Sequence, residues 1–228
     1  MLNLPHAAFA GLLLCACASA ALAQPVAGDT FVYRVTNRYN GEPHGQITYR
    51  VEKVDADRVA VAVTADTPLL GPARTEIYDR DGNGLRHPLI NHGLPTEHEF
   101  SPPYPAYAFP LETGKTWSVR ITGTHPASGE RRSVRVDGEV LGSERITTPA
   151  GAFDTIKVRR RVYAGDWQPW KNETNITETD WFAPALGRPV RSESNSGYID
   201  QIMVGIMNSY APTRGDWHLF ELVSHTRQ

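Results

Sequence analysis

Alternation of apolar and polar residues with a period of two runs through most of the chain after residue 27, broken at short intervals by turn residues. Phe31, Tyr33 and Val35 share one face of their stretch, and Val59, Val61 and Val63 stand opposite Ala60 and Ala62. Trp117, Val119 and Ile121 repeat the arrangement. Each pattern is that of a half-buried strand, because successive side chains point to opposite faces. Thr148-Pro149-Ala150-Gly151 reads as a tight turn feeding a strand from Phe153 to Val162, and Trp181-Phe182-Ala183-Pro184-Ala185-Leu186-Gly187 as a strand ending in a Pro-Gly corner. Hairpin follows hairpin, which predicts a β-meander. The last strand, Trp217 to Ser224, is apolar on both faces and is expected to lie centrally. Ile199, Ile202, Met203, Ile206, Met207 and Tyr210 fit a short helix near 199–210, while Ile202, Val204 and Ile206 also fit a strand. If helical, this insert would plug a barrel or cover its open edge.

The chain also resembles itself. Gly28-Asp29-Thr30-Phe31-Val32-Tyr33-Arg34-Val35 aligns with Gly114-Lys115-Thr116-Trp117-Ser118-Val119-Arg120-Ile121, and Tyr49-Arg50-Val51-Glu52 aligns with Val134-Arg135-Val136-Asp137 at almost the same offset. Two such halves, about 28–87 and 114–192, bury their apolar faces either as a sandwich or as one continuous barrel. The length and succession of the strands favour an all-β fold: a single antiparallel, strongly curved sheet or partly open β-barrel with a two-fold internal repeat. The expected organisation is one domain over 24–228, with a connector at 88–113 and a C-terminal insert and strand at 198–225.

Pro-Ala-Gly-x-Phe-Asp-Thr-x-Lys-Val from Pro149, then Trp-Phe-Ala-Pro-x-Leu-Gly from Trp181, preceded by Phe109-Pro110-Leu111 and Gly114-Lys115-Thr116-Trp117, resembles a group of exported bacterial β-domains of unknown function. The resemblance spans roughly residues 109–192 and rests on turn and core residues. It implies a β fold and an exported location, and it brings no catalytic residue with it.

Residues 1–23 hold no Lys, Arg, Asp or Glu, and an apolar run through Leu12-Leu13-Leu14 leads to Ala21-Leu22-Ala23. This predicts a secretory signal cleaved after Ala23, although the usual positive start is missing. The apolar run is too short for a transmembrane anchor. Cys15 and Cys17 are the only cysteines, so the cleaved chain would carry neither thiol nor disulfide. The alternative is a membrane-tethered lipoprotein lipidated at Cys17. A periplasmic or secreted protein is expected.

Charge narrows the partners. With 23 basic and 25 acidic residues the chain lacks the basic excess that nucleic-acid binding uses. Lys157, Arg159 and Arg161 share one face of a strand, and Arg135 lies on its expected neighbour. Such a stripe would meet an anionic group, or be balanced as a solvent face by nearby acids. Asp79-Arg80-Asp81-Gly82-Asn83-Gly84 begins like a calcium loop, but Ile90 occupies the position of the bidentate Glu, so a Gly-rich hairpin turn is expected. His87, His92, Glu97, His98 and Glu99 in the Pro-rich connector match no metal-ligand spacing and read as solvated loop residues. Phe100, Tyr104 and Tyr107 would pin that connector as a lid across an open end of the sheet. Trp167 and Trp170 sit in a polar loop and either fold back or form a contact patch.

No Gly-x-Ser-x-Gly, His-Glu-x-x-His or phosphate loop occurs, so no catalytic, metal or cofactor site is expected. A hydrolase without a linear motif is the least favoured reading. The pattern points to a non-catalytic exported cell-envelope protein holding a lipid or other apolar or amphipathic ligand, with Phe31, Tyr33, Tyr49, Trp117 and Val119 lining the pocket. The alternative is a periplasmic scaffold that binds a partner chain of the envelope. Oligomeric state and ligand identity stay open at this level.

Overall fold

The computed structural model describes residues 22–89, 96–164, 171–207 and 213–228. The alternating stretches become twelve strands, and every consecutive pair is antiparallel. The first six are β1 (Thr30–Asn37), β2 (Pro43–Val54), β3 (Val59–Ala65), β4 (Arg74–Tyr78), β5 (Gly84–Leu89) and β6 (Thr96–Tyr104). The rest are β7 (Thr116–Thr124), β8 (Arg131–Thr148), β9 (Gly151–Ala164), β10 (Lys171–Ala183), β11 (Arg188–Asp200) and β12 (Thr213–Thr226). Strand β12 returns to pair with β1, so the sheet closes into an up-and-down barrel. Closure removes the free edges that an open sheet would present. The aligned segments fall on β1 and β7, which stand six strands apart and therefore on opposite sides of the barrel.

The wall is uneven. The β8–β9 ladder runs from Val134 opposite Ala164 to Thr148 opposite Gly151, turning through Pro149-Ala150. Its tip folds back on β12, where the Ala150 amide donates to the Leu222 carbonyl. By contrast, β4 meets β5 only at Ile77–Arg86 and Tyr78–Gly84, and β6 meets β7 only at Glu99–Thr124, Phe100–Gly123 and Ser101–Thr122. The next residues of β6 are Pro102 and Pro103, which have no amide hydrogen with which to continue the ladder.

Two apolar clusters fill the barrel. One gathers Phe31, Tyr33 and Val35 of β1 with Val59, Val61 and Val63 of β3 and Leu222 of β12. The other gathers Val134, Val136, Val158, Val162, Ile176 and Phe182 of β8–β10 with Phe100 and Tyr104 of β6. Both follow from period-two alternation: Val158 and Val162 are fully buried while Arg161 between them is exposed.

Two expectations are corrected here. The connector 88–113 is not a long loop, because β6 lies within it; Pro102 and Pro103 argue against a strand in sequence, but they sit where the β6–β7 pairing stops. The insert is the short helix expected near 199–210, α1 (Gln201–Met207), whose first turn is capped by Asp200 Oδ1 accepting from the amides of Ile202 and Met203; its role is what changes. It does not plug the barrel: Ile202, Met203 and Ile206 are 55%, 43% and 75% exposed.

Candidate functional site

Between the two clusters lies a cavity of about 250 Å³, just below the range of drug-sized ligand pockets, on the order of 300–1,000 Å³. Its first wall is apolar and aromatic. Phe31 and Tyr33 of β1, Tyr49 and Val51 of β2, Val59 and Val61 of β3 and Phe220 of β12 face it. Tyr49 packs edge-on against Tyr33 at 5.6 Å.

The opposite wall carries buried charge. On β9, Arg160 occupies the inward position between Val158 and Val162 and is 5% exposed. On β10 the inward series is Ile176, Glu178, Asp180 and Phe182. Arg160 donates from Nε to Glu178 Oε2 and from Nη2 to Asp180 Oδ2, each at 2.8 Å, and from Nη1 to the Ala106 carbonyl at 3.2 Å. Three hydroxyls complete the carboxylate shells. Tyr104 donates to Glu178 at 2.6 Å, and Tyr107 and Ser192 donate to Asp180 at 2.7 Å each. Burial and the adjacent carboxylates hold both phenols well above the ordinary tyrosine range, so they serve as donors. A guanidinium suits this place because its planar fork meets several acceptors at once.

At the β4 side, Glu76 accepts from Arg74 Nε at 2.7 Å and from the Tyr78 hydroxyl, so both its oxygens are engaged. His87 of β5 faces the cavity with rings of Phe100 at 4.9 Å and Tyr104 at 5.0 Å. Its Nδ1 lies 2.8 Å from the Pro88 carbonyl, which can only accept. Burial pushes the His87 pKa below its ordinary 6.5, outweighing the opposing influence of Glu76. A depressed folded-state pKa means that stability is full above the unfolded value and starts to fall as pH drops through it, until the folded-state pKa is passed. His87→Phe is therefore expected to reduce the loss of stability just below pH 6.5, measured by denaturant unfolding across that range; an NMR titration should place the His87 pKa below 6.5.

Arg188 enters from the start of β11. The register of β10 with β11 shifts by a residue between Trp181 and Phe182, which re-aims the chain at this point. The guanidinium lies 5.0 Å from the Phe31 ring and 4.8 Å from the Tyr49 ring. Among the described residues no carboxylate is within ion-pair distance of Arg188, and its Nε is buried without a hydrogen-bond partner. Leu22, Ala23 and Pro25 lie at the same end, with the Ala23 amide donating to the Pro184 carbonyl; Leu22 and Ala23 belong to the expected leader, so cleavage after Ala23 would leave Pro25 there and open that end further.

The residues expected from sequence divide accordingly. Phe31, Tyr33 and Tyr49 line the cavity, whereas Trp117 and Val119 pack against the second cluster outside it. Trp117 is drawn away because it covers Gly138 across the strand pair, where a Cβ would collide with the indole, and because its Nε1 donates to the Pro105 carbonyl. Of the lid residues, Tyr104 and Tyr107 line the cavity and Phe100 does not.

The basic stripe lies on the outer wall among acids. Arg135 pairs with Asp137, Lys157 with Glu144 and Arg159 with Glu139, while Arg161 stands opposite Asp137. His87 and His98 are enclosed on strands rather than solvated. Asp79–Gly84 forms the β4–β5 hairpin turn, with Asp79 accepting from the amides of Asp81 and Asn83. His92, Trp167 and Trp170 lie outside the described residues.

The model of the DUF3108-like family matches residues 114–198, which run from the entry to β7 almost to the end of β11. In structure the chain is similar to a candidate lipoprotein from Parabacteroides distasonis ATCC 8503, at 16% identity and TM-score 0.54, over 88% of this chain and 96% of that one. It is also similar to a candidate exported protein with a YmcC-like fold from Bacteroides fragilis NCTC 9343, at 17% identity and TM-score 0.51, over 91% of this chain and 100% of that one. At identities this low the structural likeness shows a shared fold alone. No curated protein matches the chain in sequence.

Proposed function

We propose that this protein is an exported cell-envelope protein that binds a small amphipathic molecule inside its barrel and performs no chemistry on it. The carrying observation is the cavity itself, whose aromatic and aliphatic wall faces a wall of buried, hydrogen-bonded charge. An amphipathic ligand can satisfy both sides at once. The polar groups read as structure rather than catalysis. The Ser192 hydroxyl donates to Asp180 and, among the described residues, is hydrogen-bonded to no histidine, and burial lowers the pKa of His87. Export is supported by the apolar leader and its Ala-Leu-Ala site, and by the names of the two structural relatives. The scaffold reading loses its simplest mechanism, since a closed barrel offers no strand edge among the described residues for a partner chain to extend.

Native mass spectrometry of the protein purified from its own envelope fraction tests the reading. The expected result is a chain beginning at Gln24 with a discrete excess mass that organic solvent releases. An unliganded chain that also takes up no amphiphile on titration would overturn it.

A further inference from the structure

Resting on that reading, we infer that the ligand is a single-chain amphiphile with an anionic head group, and that Arg188 is the residue that receives the charge.

Four arginines line the cavity; Arg80, in the β4–β5 turn, donates to the Asp55 carbonyl, and the other three stand on strands. Arg160 is bound to Glu178 and Asp180, and Arg74 is bound to Glu76. Arg188 alone of these three has no acid partner among the described residues, and aromatic faces surround it instead. A guanidinium stays charged at every physiological pH, so the site keeps a positive charge and an unused donor, Nε. A carboxylate or phosphate oxygen is the partner whose geometry fits that fork.

The other charges facing the cavity do not fill this role. Both oxygens of Glu76 are occupied by Arg74 and Tyr78. Glu178 and Asp180 stand on the adjacent strand β10 with one negative charge beyond that of Arg160, and their donors are Arg160, two tyrosines and Ser192 rather than Arg188. That excess would repel an anion from its own side, which orients the head group toward Arg188. Beside Arg188, the aliphatic side chains of Val51, Val59 and Val61 and the ring of Phe220 provide a surface for the tail.

Isothermal titration of the purified protein with decanoate, 1-decanol and inorganic phosphate separates the parts of the inference. Decanoate is expected to bind about tenfold more tightly than decanol, the effect of one charge-assisted hydrogen-bonded contact. Arg188→Met should reduce this ratio to near one while leaving decanol affinity little changed. Equal affinities for decanoate and decanol in the unaltered protein would overturn the assignment of charge but leave the cavity as an apolar ligand site. Binding of phosphate more tightly than decanoate would overturn the amphiphile. Failure of both ten-carbon probes to bind would overturn this inference together with the proposed function. The comparison in the unaltered protein decides the matter even if the substituted chain does not fold.

Discussion

Arg160→Met is expected to cost about 3–5 kcal/mol of folding stability, read as a lowered midpoint in denaturant unfolding followed by circular dichroism. The reason is what the substitution leaves behind. Among the described residues Arg160 is the only basic group bonded to Glu178 and Asp180, and removing it strands two carboxylates against Tyr104, Tyr107 and Phe182. It also frees the Ala106 carbonyl, through which the segment after β6 is tied to the barrel. Arg160→Lys should recover part of the loss, because an ammonium keeps the charge but cannot span three acceptors with a planar fork. Equal stability of the methionine variant and the parent would show that the network contributes nothing to the fold.

The second large effect is expected at Phe182. Its ring is 2% exposed, packs 4.8 Å from Tyr107 and 5.8 Å from Phe109, and forms part of the cavity boundary. Phe182→Ala should cost about 3–5 kcal/mol, lowering the melting temperature of a chain this size by on the order of 10 °C. The loss combines burial with an enlarged void. A ligand that fills the added space should restore part of the lost melting temperature in the variant, since binding to the folded state alone is stabilising. A change of only a degree or two on Phe182→Ala would show that the ring is not part of the packed core.

Much of the barrel was legible because its strands obey period two. Phe31, Tyr33 and Val35, or Val59, Val61 and Val63, announce their face by alternation, and Pro149-Ala150 announces its hairpin. Closure was not legible, since the pairing of β1 with β12 joins residues almost the full chain apart. The charged half of the site was hidden by its composition. In Lys157-Val158-Arg159-Arg160-Arg161-Val162 a run of basic residues reads as a solvent face, yet the same alternation that sends Arg159 and Arg161 outward sends Arg160 inward. Ile176-x-Glu178-x-Asp180-x-Phe182 carries the matching signal: acids at the inward positions of a strand with apolar residues on either side. Read together, the two strands disclose a buried ion pair. Arg188 gives no such signal, because the register shift that turns it inward depends on how β11 meets β10.

The uneven wall has a consequence for time as well as shape. The slender β4–β5 and β6–β7 joints flank strands that carry cavity residues Glu76, Tyr78, His87 and Tyr104, while the β8–β9 ladder that follows β7 is long. Amide hydrogens in the slender quarter should exchange with solvent fastest, and those of β8 and β9 slowest. A molecule held inside would then escape sideways, at a pace set by how often that quarter opens and not by the strength of its grip alone.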